Sequence, residues 1–228
     1  TTRHLQKRRH QHSSHILLCQ NKLTMSISEY NGGAVLAMAG KNCVAIASDK
    51  RFGARYLTIS TEFPKTFQAT DKTFIGISGL ATDVQTLMER FRFKINMYRM
   101  NEERDLEPIT LANMVSSTLY ERRFSPYFVE PIVAGLDKNN NPYINGMDLI
   151  GCSTPTSEFS ATGTAEEQLY GICEALWEPD LEPEELFETI SQAIMSATNR
   201  DCVSGWGAVV HVITPERVIT RTLKTRMD

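Results

Sequence analysis

Four polar residues stand where apolar stretches of the sequence end, and their types could carry acid–base or ionic chemistry. Asp49 follows the apolar run 43–47, and Lys65 lies in the segment 62–67, while Asp201 and Ser204 share the segment 199–207. Taken singly, each is explained by a solvated strand or helix end, with helix capping as the role of Asp49 or Asp201. Position alone therefore does not assign them a reaction.

Several common chemistries lack the residues that they need. The sequence contains neither a phosphate-binding G-x-x-x-x-G-K-[ST] loop nor a GxGxxG turn. His211 is the only histidine after residue 24, and it sits inside the apolar run 209–213, so histidine-based hydrolase and zinc sites are disfavoured. The five cysteines form no CxxC pair, which indicates free thiols in a reducing compartment.

Hydrophobic periodicity predicts the elements that must position these residues. Apolar residues at helical spacing predict helices over 84–98, from Pro108, over 165–176 and from Pro183. Short apolar runs bounded by turn residues predict strands at 34–38, 43–47, 74–78, 132–136, 143–150, 159–162, 206–213 and 218–223. The first two strands and the last two are each expected to form a hairpin.

The predicted helices come in adjacent pairs between groups of strands, which argues against a doubly wound nucleotide-binding sheet. Two antiparallel sheets packed face to face, with a helix pair on each outer face, would bury all of the apolar stripes. The predicted fold class is therefore α+β, a four-layer αββα sandwich.

Charge is unevenly distributed along the chain. Residues 1–24 carry five of the 24 Lys and Arg residues and no acid, which leaves 19 bases against 27 acids, a net charge of −8, in 25–228. An acidic body is a poor nucleic-acid binder, and no run of 18 apolar residues predicts a membrane span. We expect 1–24 to be a disordered leader, or sequence upstream of a natural start at Met25, and 25–228 to form a single domain.

Three segments together carry a family resemblance. Segments 44–51, 79–83 and 200–205 resemble proteasome beta subunits, which are N-terminal nucleophile hydrolases with a helix-covered double-sheet sandwich. The resemblance runs from about residue 31 to 228, and the spacing between the motifs agrees throughout. Segments 25–27, 31–35 and 186–193 carry a finer match to one of the beta subunit types.

The resemblance implies a reaction and shows what this chain lacks for it. In active members an N-terminal threonine attacks the peptide carbonyl. A nearby lysine, which an aspartate orients, lowers the pKa of this threonine, and a backbone N–H binds the oxyanion. That threonine stands sixteen residues before the aspartate, where this chain has Gly33. The remaining positions that match the family are Asp49, Lys65, Gly79, Thr164 (a serine in active members), Asp201 and Ser204.

A glycine has no hydroxyl to acylate, so the resemblance predicts a non-catalytic subunit whose upstream segment stays attached. Thr1 is rejected as the nucleophile because the sixteenth residue after it is Leu17, with neither a strand nor an aspartate nearby. Asp49 and Lys65 are expected to remain as a buried ion pair that fixes local geometry.

The expected role is a structural component of the beta ring of the 20S core particle, in ATP- and ubiquitin-dependent protein degradation in the cytoplasm and nucleus. The implied partners are the other beta subunits of a heteroheptameric ring, the alpha-ring subunits and the opposite beta ring, with a neighbour's substrate pocket partly lined by this chain. The tail 224–228 is expected to reach across the ring interface. No cofactor is expected.

Three alternatives remain open from the sequence. The carbonyls of Thr198, Asp201 and Ser204 could hold a structural cation, or these residues could form an ordinary helix-end turn that binds no ion. The chain could be an active N-terminal threonine endopeptidase, or a free-standing binding protein on the same fold.

Overall fold

The computed structural model describes residues 26–227. The predictions for the leader 1–24 and for Thr1 concern residues outside this range.

Four helices and one short 3-10 helix lie within the described range, and none of the helices is long and apolar enough to cross a membrane. Prolines in the first turn begin two of them, where the missing N–H is harmless and the fixed φ suits a helix. The bounds are Ile27–Glu29 for the 3-10 helix, Ala81–Glu102 (α1), Pro108–Tyr120 (α2), Glu166–Leu176 (α3) and Pro183–Thr198 (α4).

The described chain contains twelve strands, all paired antiparallel. They are Ala34–Gly40 (β1), Cys43–Asp49 (β2), Phe52–Ala54 (β3), Leu57–Ser60 (β4), Thr66–Thr70 (β5), Thr73–Gly79 (β6), Val129–Leu136 (β7), Pro142–Met147 (β8), Ser153–Thr156 (β9), Phe159–Gly163 (β10), Ala208–Ile213 (β11) and Val218–Leu223 (β12).

The strands form two five-stranded sheets and one hairpin. The first sheet has the order β10-β1-β2-β11-β12, the second has the order β5-β6-β7-β8-β9, and β3 pairs only with β4. Strands β3, β4, β5 and β9 were not predicted, because they are short, partly exposed and without an apolar run. Strand β8 was predicted to reach residue 150, but it ends at Met147 and a turn follows.

The core lies in three layers between the four layers of secondary structure. Along β1, Leu36 and Met38 pack under α3 and α4, whereas Val35 and Ala37 face the second sheet. The second sheet packs its other face against α1 and α2. Successive side chains of a strand point to opposite faces, so a strand buried on both sides reads as a continuous apolar run. The predicted α+β sandwich is confirmed.

Candidate functional site

Strand ends from both sheets meet at one end of the sandwich and bring the predicted polar residues together around Gly33; this cluster is called the Gly33 site. Gly33 immediately precedes β1, and Asp49 is the last residue of β2. Lys65 immediately precedes β5. The antiparallel register pairs Ala34 with Gly163, which brings Thr164 next to Gly33.

Asp49 and Lys65 form a buried ion pair at the centre of the site. Lys65 Nζ donates to Asp49 Oδ1 at 2.6 Å and to the carbonyl of Arg51 at 2.8 Å, and the two side chains are 4% and 0% exposed. The carboxylate also accepts from the amides of Ala34 at 3.0 Å and Gly205 at 3.1 Å. Burial lowers the pKa of the Lys65 ammonium, and the Asp49 carboxylate opposes that shift. The pair therefore joins four separate segments of the chain, at residues 34, 49–51, 65 and 205.

Gly33 lies against this pair in a conformation that favours glycine. Its φ is +143°, and a Cβ built on it would lie 2.4 Å from Cε of Lys65. The Gly33 amide donates to Thr164 Oγ1 at 3.3 Å, while the Gly33 carbonyl accepts from the Thr164 amide at 2.9 Å. Thr164 in turn donates to Asp201 Oδ2 at 2.6 Å. The aliphatic stem of Lys65 thus occupies the space that a side chain at position 33 would need.

Gly79 ends β6 beside an acidic cleft. Its φ is +114°, and a Cβ there would lie 2.3 Å from the carbonyl oxygen of Phe128, so this turn requires glycine. Burial raises the pKa of the Glu130 and Glu166 carboxyls. The cleft has a volume of about 390 Å³ and is lined by Ser28, Glu29, Ser78, Gly79, Glu130, Gly163, Thr164, Glu166 and Glu167.

The turn after α4 places Thr198, Asp201 and Ser204 around a small cavity of about 140 Å³. The Thr198 carbonyl accepts from the Asp201 amide at 3.2 Å, and Asp201 Oδ1 accepts from the Val203 amide at 3.3 Å. Ser204 Oγ is buried and has no hydrogen-bond partner among the described residues. No group of three metal-binding side chains occurs in 26–227, so a cation in this turn would depend mainly on main-chain carbonyls.

His211 belongs to the packing between the elements. Its ring stacks on Phe74 with the ring centroids 4.7 Å apart, and its nitrogens contact Thr66 Oγ1 at 3.1 Å and Thr220 Oγ1 at 2.8 Å. Burial lowers its pKa to about 4, which keeps the ring neutral. The structure thus gives His211 hydrogen-bond partners instead of a nucleophile to activate.

Comparisons with known proteins match nearly the whole described chain. A family model described as "Proteasome subunit" matches residues 29–213. The chain belongs to the proteasome subunit family. The probable proteasome subunit beta type-3 of Schizosaccharomyces pombe is 58% identical over 204 residues, which are 90% of this chain and 100% of the relative. The proteasome subunits beta type-3 of Picea mariana and Drosophila melanogaster are 55% and 54% identical, again over 90% of this chain and 100% of the relative.

These relatives confirm the resemblance drawn from the segments around Asp49, Gly79 and Asp201. The chain is a proteasome subunit of the beta type, a component of the beta ring of the core particle, and it assembles with other proteasome subunits. Beta type-3 is the subunit type to which the finer sequence match pointed.

Sequence reasoning missed the role of Arg51 in this proteasome subunit. Its guanidinium is 2% exposed and donates to the carbonyls of Val203 at 2.8 Å, Arg55 at 2.9 Å and Asn31 at 3.3 Å. Burial lowers its pKa, and the charge of Asp49 opposes that shift. Arg51 follows Asp49 by two residues, so its place in the motif was the only signal in the sequence.

The segment upstream of Gly33 is built into the fold of the subunit. Asn31 is 7% exposed, donates to the carbonyl of Gly53 at 2.8 Å and accepts from the amide of Ala81 at 2.9 Å. Gly32 has a φ of +69°, and a Cβ there would lie 2.0 Å from the carbonyl oxygen of Val203. The chain therefore enters β1 through a buried, hydrogen-bonded path, and the nitrogen of Gly33 is an ordinary peptide nitrogen.

Proposed function

We propose that this chain is a non-catalytic beta subunit, which supports the ring and performs no peptide hydrolysis of its own. The observation that carries the proposal is Gly33, which stands where an active member has its threonine. A glycine offers no oxygen to attack a carbonyl, and its nitrogen, held in the peptide bond to Gly32, is not a base.

The surroundings of Gly33 support the same role. The Lys65 stem lies where the Cβ of a nucleophile would be, and the Lys65 ammonium is engaged by Asp49 and the Arg51 carbonyl. In an active member such a lysine would tune a nucleophile; here it ties β2 to the turn that precedes β5. The ion pair therefore has a structural role in this chain.

The resemblance to the family supports a place for the subunit in the ring. It occupies one position in a heteroheptameric beta ring, contacts the alpha ring and the opposite beta ring, and shapes the substrate pocket of an active neighbour. The tail beyond β12, which Thr225 anchors by accepting from the Gly207 amide at 2.8 Å, extends toward the ring interface. Its compartments are the cytoplasm and the nucleus. The turn at Thr198, Asp201 and Ser204 functions without a bound cation.

Labelling of the intact particle tests the non-catalytic role. An electrophile that reacts with N-terminal threonines is applied to purified particles, and the subunits are separated and weighed as intact proteins. We expect the active beta subunits to gain the mass of the probe, and this chain to stay unlabelled and to keep the residues upstream of Gly33. Covalent labelling of this chain, or a mature chain that begins at Gly33 or later, contradicts the proposal.

A further inference from the structure

A groove between α1 and the edge strand β5 is separate from the Gly33 site. Its volume is about 270 Å³, and its floor consists of apolar side chains from β6 and α1. Three of them, Ile75, Ile77 and Phe91, are at most 3% exposed, although the space above them is unfilled by the described chain. The groove is an apolar concavity large enough for one sizeable side chain.

The groove opens along the unpaired side of β5. Three consecutive residues of this strand, Phe67, Gln68 and Ala69, line it. The pairing of β5 with β6 shifts register between Gln68 and Thr70, and this irregularity interrupts the alternation of side chains along β5. β5 is the last strand of its sheet, and no other described strand pairs with its outer side. Its outward N–H and C=O groups are therefore available to an added strand.

The rim of the groove is positively charged. Arg92, Asn96 and Arg99 lie three or four residues apart on α1, so they form one row along the groove. No carboxylate lines the groove, and Arg92 has no ion pair within the described residues, although Arg99 pairs with Asp105 at 2.7 Å. An occupant that carries an acidic residue would thus be favoured over a basic one.

We infer that this groove receives an extended segment of a neighbouring proteasome subunit. The segment adds as a strand to the outer edge of β5, places an apolar side chain on the floor and sets an acidic residue opposite Arg92. Main-chain hydrogen bonds then supply affinity, while the floor and the arginine supply specificity. The inference rests on the proposed place of the chain in a ring, because it takes the occupant from that ring.

Site-specific photo-crosslinking in assembled particles identifies the occupant. A photoreactive phenylalanine analogue replaces Asn96 on the rim, and in a control it replaces Thr86, which is exposed and lies about 120° around α1 from Arg92. We expect position 96 to crosslink to one segment of another subunit, with an acidic residue within a few positions of the crosslinked residue. Position 86 should not crosslink to that segment.

Charge reversal tests the specificity of the same contact. Arg92→Glu should lower the yield of the crosslink from position 96 about tenfold, because an attractive rim pair becomes repulsive. Arg104→Glu reverses an exposed arginine on the loop between α1 and α2, outside the groove, and should leave the yield unchanged. Changing the acid of the captured segment to lysine should restore the crosslink to Arg92→Glu.

The outcomes separate this inference from the function on which it rests. A chain that enters the particle but crosslinks from position 96 only to itself, to a protein outside the particle or to nothing overturns the inference alone. Equal yields from the two arginine variants overturn it as well. A chain that stays outside the particle contradicts the proposed function, and with it the occupant named here.

Discussion

The buried ion pair of the Gly33 site gives a sharp prediction about stability. Lys65→Met keeps most of the volume of the side chain but removes its charge and its hydrogen bonds to Asp49 and the Arg51 carbonyl. The Asp49 side chain is fully buried, so its carboxylate would remain in the core with only the amides of Ala34 and Gly205 as donors. Removing one partner of a buried pair costs about 3–5 kcal/mol.

The expected loss is measured on particles that contain the variant. Hydrogen exchange followed by mass spectrometry reports the opening of β1 and β2, where the Ala34 amide donates to Asp49. If the full cost appears in local opening, exchange of this region should accelerate by about 100-fold to several thousand-fold, since each 1.4 kcal/mol corresponds to a factor of ten. No threonine-directed labelling of this chain should appear in either form.

The same substitution in an exposed ion pair serves as the control. Lys41 Nζ lies 2.8 Å from Glu182 Oε1, but the two side chains are 56% and 58% exposed, so water screens the pair and Lys41→Met should accelerate exchange only slightly. The reasoning is refuted if Lys65→Met accelerates exchange no more than Lys41→Met does, because burial would then have no effect on the cost of breaking the pair.

Three further predictions concern the glycine, the histidine and the thiols. Gly33→Ala should lower the free energy of unfolding by about 1–3 kcal/mol in urea titrations, since φ is +143° and the Lys65 stem fills the Cβ space; an unchanged midpoint would contradict this. Burial holds the pKa of His211 at about 4, below its usual 6.5, so the folded state binds fewer protons than the unfolded one. The contribution of His211 to the free energy of unfolding is therefore fully present above about pH 6.5 and is lost as the pH falls toward 4. Urea titrations across that range should show a smaller pH dependence of this free energy in His211→Gln. Burial raises the pKa of Cys43 to about 11 and of Cys173 to about 12, so iodoacetamide at pH 8 should modify Cys152 and Cys202, the exposed cysteines within residues 26–227, before these two; equal rates by mass spectrometry would count against it.

The predictability of each element depended on how much of its surface is buried. The helices around Val84 and from Pro183 each bury one apolar stripe, so their periodicity showed in the sequence. The buried hairpin of β1 and β2 also appeared as two apolar runs. The strands β3, β4, β5 and β9 are short and bury few side chains, so no apolar run marks them, although each pairs with a strand that is close in sequence.

The candidate site divides in the same way. Asp49, Lys65 and Asp201 could be assigned to the site from motif spacing and family resemblance, because each lies in a short motif of consecutive residues. Arg51 and Asn31 could not be assigned, because their contacts join the upstream segment, the β3–β4 hairpin and the turn after α4. A side chain that binds main-chain carbonyls from three segments leaves no periodic pattern in any of them.

The sequence by itself determined that position 33 has no hydroxyl, since the identity of a residue settles which atoms it can offer to a reaction. It also determined the order of helix pairs and strands that a helix-covered double sheet requires. Only the tertiary structure decided that the Lys65 stem fills the space beside Gly33, and that the groove at β5 remains open. Both depend on contacts between residues far apart in the chain, and those contacts exist only after the two sheets have packed.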